Sequence, residues 1–268
     1  MNSRLMSTTL ALLAFTTLAN APFRPASAAA PEPCVAPGAW IDSAGRPADA
    51  GAVLRRAAAS PVVALGEMHE NAEDHRWQLQ TLAALHAVNP HLAIGMEAFP
   101  RRLQPILDRW SAGELDEETF LNLTQWRKVW GYDPAFYLPI MHFARMNRLP
   151  LIALNVERAL VSRVARQGWA AVPDDEREGV GEPAPASEGY LRRLEDVAAG
   201  HGGERGSPDF QRFVAAQSLW DRAMAEAAAA QHRRDGRTVV AIMGRGQVER
   251  RDGVNRQLTD LGLPVAVV

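Results

Sequence analysis

The alternation of short apolar runs with helical patterns predicts an α/β fold. Five short apolar runs read as buried strands, and each of the first three is followed by polar segments with apolar residues at helical spacing. The predicted strands are Pro61–Gly66, Leu92–Met96, Leu149–Val156, Thr238–Met243 and Pro264–Val268. Strands that alternate with helices predict a mostly parallel sheet flanked by helices on both faces, with an additional helical subregion.

The intervening helices have recognisable starts and stops. Ser207-Pro208 places an N-cap residue before a proline at the first helical position, so a long helix is expected to begin there. The other predicted helices are 71–89, 104–111, 116–125, 136–147, 157–167 and 187–199. Residues 168–186 are rich in acids, proline and glycine, which predicts a loop or a mobile flap.

The first thirty residues have the layout of a secretory signal peptide. Arg4 precedes an apolar stretch too short to span a bilayer, and small residues follow, ending in Ala28-Ala29-Ala30. Residues 1–30 are therefore expected to be removed on export, 31–60 to form an extended lead-in, and 61–268 to form a single α/β domain. Cys34 is the only cysteine, and Pro31-Glu32-Pro33 before it does not suit lipidation, so a soluble periplasmic protein is expected.

Composition excludes several partner classes. The net charge of −2 is not basic enough to suggest a nucleic-acid partner, and no later segment is apolar enough for a transmembrane span.

Polar residues at the predicted strand ends are the candidates for chemistry. Glu67 and His69 follow the first strand, Glu97 follows the second, and Gly244-Arg245-Gly246-Gln247 follows the fourth. Ligands of such sheets bind beyond the carboxyl ends of the strands, so Glu67, His69 and Glu97 are expected to converge. They would form either a site for a divalent metal such as Zn, Mn or Fe, or a hydrogen-bonded polar cluster. The nearby aromatic residues from Trp126 to Tyr137 are expected to pack in the core.

The same segments resemble the ChaN family of haem-binding proteins, in a superfamily with the Tiki proteases and the erythromycin esterases. The resemblance rests on five segments, namely Leu65 to Asn71 with His75, Gly95 to Phe99, Trp126 to Tyr137, Asn155 with Gln217 to Asp221 and Met224-Ala225, and the Gly244-x-Gly246 turn. This chain has Gln247 where the family commonly has histidine, which argues against a metal hydrolase.

The resemblance implies an exported protein of haem or iron uptake or storage that binds rather than catalyses. It implies a tyrosine ligand to ferric haem, for which Tyr190 is the match, with His201, Arg192 or Arg193 near the propionates. Tyr190 lies on a helix interpreted as polar-faced and would cover only one haem face, so a haem-linked homodimer is expected, with haem-uptake components as further partners. The alternatives are a metal-dependent hydrolase of peptidase or esterase type that uses Glu67, His69 and Glu97, and a module that binds another polar small molecule.

Overall fold

The central feature of the fold is a five-stranded parallel sheet with the strand order β3-β2-β4-β1-β5. The strands are β1 (Val62–Glu67), β2 (Leu92–Pro100), β3 (Leu151–Asn155), β4 (Thr238–Gly244) and β5 (Val265–Val267). The computed structural model describes residues 36, 38–42, 44–199 and 205–267. The residues from Gly38 onward form one compact unit. The prediction of an α/β fold with a parallel sheet is confirmed.

Helices cover both faces of the sheet. They are α1 (Ala50–Ala58), α2 (Ala72–Val88), α3 (Gln104–Ser111), α4 (Glu117–Thr124), α5 (Trp126–Val129), α6 (Pro134–Met146), α7 (Arg158–Gln167), α8 (Glu188–Ala199), α9 (Pro208–Asp235) and α10 (Val254–Asp260). Among the described residues, none of these helices is long and apolar enough to span a membrane.

The two-residue period of the strands divides the core into two layers. Val63 and Leu65 of β1 pack with α2, α3 and α6 on one face, and Val62 and Ala64 pack with α9 and α10 on the other. A strand buried on both faces must be apolar throughout, which is why β1 reads as a continuous apolar run.

Two boundaries differ from the predictions. The expected extended lead-in over 31–60 contains the helix α1, because Asp49 caps it with a hydrogen bond from the Ala52 backbone N–H at 2.6 Å and its Leu54 packs on the core. Strand β2 continues to Pro100, so Glu97 lies inside a strand instead of ending one. By contrast, α9 begins where predicted, with Ser207 Oγ accepting a hydrogen bond from the Phe210 N–H at 3.1 Å.

The segment 168–187 is a loop, as predicted, but hydrogen bonds fix it to the body of the protein. Two short 3-10 turns, Trp169–Ala171 and Asp174–Glu176, interrupt it. The Gln257 side chain bonds both backbone groups of Ala184, at 2.8 and 3.0 Å, and the Gly181 N–H donates to Glu226 at 3.0 Å. The loop interpretation is confirmed, and side chains of α9 and α10 satisfy part of the loop backbone.

Candidate functional site

Glu67, at the carboxyl end of β1, organises a buried polar cluster. Its Oε1 accepts hydrogen bonds from the Tyr137 hydroxyl at 2.7 Å and from His69 Nδ1 at 2.8 Å. Its Oε2 lies 3.0 Å from His75 Nδ1, while His75 Nε2 donates to the His69 carbonyl oxygen at 3.1 Å. A buried carboxylate needs such partners. Tyr137 and His69 supply hydrogen bonds to Oε1, while Oε2 has the close approach of His75 but no hydrogen bond among the described residues.

His69 connects this cluster to an open cavity. Its side chain is 27% exposed, and its ring lies 4.8 Å, centroid to centroid, from both Trp130 and Tyr132. Burial opposes the charge on His69, but the hydrogen bond to Glu67 and the charge of Glu97 outweigh it, so the pKa of His69 is raised.

Glu97 approaches His69 from the neighbouring strand. Its Oε2 accepts a hydrogen bond from the Gly244 N–H at 2.7 Å. Burial raises its pKa, although that hydrogen bond and the charge of His69 lower it in part. Gly244 leaves the room for this contact, because a Cβ there would lie 3.1 Å from the His69 ring and 3.6 Å from Glu97 Oε2. Glu67, His69 and Glu97 therefore meet at one end of the sheet, as their strand positions predicted.

The metal site expected at these three residues has no support. The described part of the chain contains no group of three His, Cys, Asp or Glu side chains arranged to hold a metal ion. The physical reason is that Glu67 and His69 bind each other through Oε1 and Nδ1, so these donors do not face a common point. The three residues instead form a hydrogen-bonded polar cluster, which was the other interpretation of the sequence.

A cavity of about 690 Å³, which we term the strand-end cleft, opens above this cluster. His69, Glu97 and Gln247 form its polar floor. Its apolar and aromatic wall consists of Val129, Trp130, Tyr132, Val156, Val161 and Trp220, and its cations are Arg102, Lys128 and Arg158. The aromatic segment packs on the core as expected. Trp126 and Tyr137 are buried within it, whereas Trp130 and Tyr132 are partly buried against it and also line this cleft.

A second cavity, the helix pocket, adjoins the cleft. It has a volume of about 380 Å³ and lies between α8 and the turn after β4. Tyr190, Arg193 and Leu194 line it from α8, and Phe213 lines it from α9. Gln217 and Gln247 line both cavities, so the two share a boundary.

Tyr190 does not lie on an exposed polar surface. Only 4% of the residue is exposed, and its hydroxyl donates to Asp221 Oδ2 at 2.6 Å. It is buried because Tyr190, Leu194 and Ala198 share one face of α8 at four-residue spacing, and this face packs on Phe210 of α9. Burial and the charge of Asp221 raise the pKa of Tyr190.

The two arginines expected near the haem propionates differ in exposure and in ion-pair partner. Arg193 is 18% exposed and pairs with Asp252, whereas Arg192 is 62% exposed, pairs with Glu188 on the surface and lines neither cavity. His201 lies outside the described residues.

Comparison with known proteins assigns a family. The sequence profile of the family described as "Haem-binding uptake, Tiki superfamily, ChaN" matches residues 53–258. The chain belongs to this family. The match spans β1 to α10, and with them both the strand-end cleft and the helix pocket.

One solved structure has the same fold. ChaN of Campylobacter jejuni, whose structure describes cofacial haem binding, superposes with a TM-score of 0.68 at 16% identity, covering 84% of this chain and 86% of that one. The RRSP effector domain of a Vibrio vulnificus MARTX toxin has a TM-score of 0.43 at 18% identity, covering 77% of this chain and 33% of that one. The erythromycin esterase EreC has a TM-score of 0.46 at 12% identity, covering 78% and 69%. The search of curated proteins found no significant match.

Sequence reasoning missed Lys128, Arg158 and Trp130 as residues of the cleft. The available signal was Trp130-Gly131-Tyr132, because Gly131 has a φ of +94° and turns the chain before α6.

The raised pKa of Glu97 predicts how pH affects stability. A carboxyl whose pKa is raised by folding contributes stability below its unfolded value of about 4.5 and loses that contribution as pH rises through the folded value. We therefore expect Glu97→Gln to be more stable than the wild type at pH 8, with the difference shrinking as the pH falls towards 4.5.

Urea unfolding of both proteins at several pH values measures this difference. Glu70→Gln, an exposed change in the same region, serves as the control and is expected to show little pH-dependent difference. A constant difference between Glu97→Gln and the wild type from pH 4 to pH 8 would contradict the assignment.

Proposed function

We propose that the protein binds haem in the strand-end cleft and serves haem or iron uptake or storage after export to the periplasm. The observation that carries the proposal is the cleft itself, which combines an aromatic wall with cations at its rim in a chain of the haem-binding uptake family. Haem is a large apolar plate with two carboxylates at one edge, so a site for it must supply both features.

The size and wall of the cleft suit such a ligand. A volume of about 690 Å³ falls within the usual range of ligand sites, roughly 300–1,000 Å³. Trp130, Tyr132 and Trp220 offer flat aromatic surface, and removing the porphyrin from water against it is favourable.

The cations of the cleft suit the propionates. Arg102 pairs with Glu157, but Lys128 and Arg158 form no ion pair within the described ranges. Both are exposed at the rim, where a charged carboxylate can remain partly hydrated. We assign the propionates to Lys128 and Arg158 in place of Arg192 and Arg193, which already pair with Glu188 and Asp252.

The iron ligand is proposed to be Tyr132. Ferric haem favours a hard anionic ligand such as a tyrosinate. The chain has three tyrosines, and the hydroxyls of Tyr137 and Tyr190 are committed to Glu67 and Asp221 in buried surroundings that raise their pKa. Tyr132 is half-buried in the cleft wall, and its hydroxyl has no partner among the described residues. Tyr190, which the sequence resemblance indicated as the iron ligand, is the alternative against which Tyr132 is tested.

A second subunit completes the proposal. One cleft wall covers one face of the porphyrin, and the other face is costly to leave in water. Haem is therefore expected to promote a homodimer in which the two clefts face each other. Light scattering of the protein with and without haemin measures this, and an unchanged mass would contradict it.

Haemin titration tests the proposed function. Wild-type protein is expected to give a saturable Soret change, and Lys128→Gln and Arg158→Gln are each expected to bind haemin roughly five-fold more weakly through loss of a charge-assisted contact. Arg127→Gln is the matched control, since Arg127 is exposed beside Lys128 but does not line the cleft. No Soret change in the wild type would overturn haem binding; equal affinities in all four proteins would overturn the propionate assignment.

A further inference from the structure

Helix α8 has a small core of its own. Tyr190, Leu194 and Ala198 pack with Phe210 in a cluster separate from the two layers that enclose the sheet. Elements with little buried apolar contact open at lower free energy than the main core does. Polar contacts therefore contribute a large share of the attachment of α8.

Several polar contacts join α8 to described residues outside it, among them the exposed pairs of Arg205 with Glu188 and Glu195, and two of these contacts are buried or half-buried. One is the buried hydrogen bond from the Tyr190 hydroxyl to Asp221 Oδ2 at 2.6 Å. The other is centred on Asp252, which pairs with Arg193 and accepts a hydrogen bond from Ser187 Oγ at 2.6 Å. Arg193 also lies over the Tyr190 ring, 5.3 Å from its centroid, so the two contacts are adjacent.

Asp221 depends on Tyr190 for its hydrogen bond. It is 0% exposed, and its second oxygen, Oδ1, has no partner in the part of the chain that the structure describes. Withdrawal of Tyr190 leaves this carboxyl buried and unpartnered, which is strongly unfavourable. The hydrogen bond therefore favours the position of α8 seen here.

The position of α8 determines the size of the ligand cavity. Tyr190, Arg193 and Leu194 form the α8 wall of the helix pocket, which meets the strand-end cleft at Gln217 and Gln247. Outward movement of α8 would open this pocket and extend the cleft past the two glutamines.

We propose that Tyr190 and Asp221 form a latch that holds α8 as a movable wall of the haem cavity, so that Tyr190 is a positioning residue that controls haem entry and release. This inference rests on the proposed binding of haem in the cleft. It assigns Tyr190 a role different from that of iron ligand, and it predicts different effects on spectrum, kinetics and local opening.

The test compares Tyr190→Phe with the wild type. The variant keeps the ring and removes the hydroxyl, so amide hydrogen exchange over residues 188–199 is expected to be roughly five-fold faster, the effect of one buried hydrogen bond. Haem transfer to apomyoglobin is expected to accelerate by a similar factor, while the ferric haem spectrum is unchanged.

Two further variants of α8 keep the test decisive if Tyr190→Phe folds poorly. Arg193→Gln breaks the contact with Asp252 and is expected to accelerate both exchange and haem transfer. Arg192→Gln breaks only a surface pair with Glu188 and is expected to change neither.

The outcomes separate this proposal from the proposed function. Unchanged exchange and transfer rates in Tyr190→Phe and Arg193→Gln would overturn the latch. Loss of the charge-transfer band in Tyr190→Phe would overturn it too, by making Tyr190 the ligand, and would leave haem binding intact. Absence of haem binding in the wild type would overturn the proposed function, whereas faster exchange in the variants would still support a latch on α8.

Discussion

Replacing Gly253 with alanine is expected to lower the free energy of unfolding by roughly 3 kcal/mol. Gly253 has a φ of +57°, which side-chain-bearing residues rarely adopt. An added Cβ would lie 2.4 Å from the carbonyl oxygen and 3.0 Å from the carbonyl carbon of Gln247, and 3.1 Å from Asp221 Oδ1. Two of these three atoms belong to the backbone, so relief requires movement of the turn that carries Gln247.

Gly262→Ala is the matched control for this change. Gly262 also has a positive φ, +74°, but no atom lies within 4 Å of an added Cβ. Gly262→Ala is expected to lower the free energy of unfolding by about 1 kcal/mol, the cost of the left-handed conformation alone. Urea unfolding of both variants measures the difference, and equal losses would show that Gly253 has no steric role. Because Gln247 borders both cavities, Gly253→Ala is also expected to weaken haemin binding.

Tyr132→Phe is expected to abolish the charge-transfer band of the ferric haem complex and to weaken haemin binding by roughly 100-fold. Mutation of a residue that contacts the ligand of a metal typically weakens metal affinity by about 10- to 100-fold. Loss of a direct ligand is therefore expected to weaken haemin binding by at least the upper value of that range. The change keeps the ring beside His69, 4.8 Å between centroids, and removes a hydroxyl that has no partner among the described residues. The folded state is therefore expected to remain as stable as the wild type.

Tyr137→Phe and Tyr190→Phe are the controls for the iron ligand. Both remove a buried hydroxyl that donates to a carboxylate, Glu67 or Asp221, so both are expected to lower stability while the band is retained. Absorption spectra of the three haemin complexes and their urea unfolding curves separate ligation from stability. A band that survives in Tyr132→Phe and disappears in Tyr190→Phe would restore the ligand inferred from the sequence.

The sequence by itself determined the fold class and the location of the polar cluster. The apolar run of β1 predicted a strand buried on both faces, and its end at Glu67 placed His69 at the edge of a parallel sheet. Ser207 and Pro208 likewise predicted the start of α9, because capping depends on neighbouring residues alone. These features follow from local spacing, which the sequence records directly.

Only the tertiary structure decided which aromatic side chains are available to a ligand. Trp126 and Trp130 lie four residues apart, and Tyr132 and Tyr137 follow closely, yet Trp126 and Tyr137 are buried while Trp130 and Tyr132 line the cleft. Tyr190 stands among charged residues, yet it faces Phe210 and Asp221. Helical periodicity defines which residues share a face, but the packing partner determines whether that face is buried. For Tyr190 those partners, Phe210 and Asp221, lie 20 or more residues away along the chain, and no local pattern identifies them.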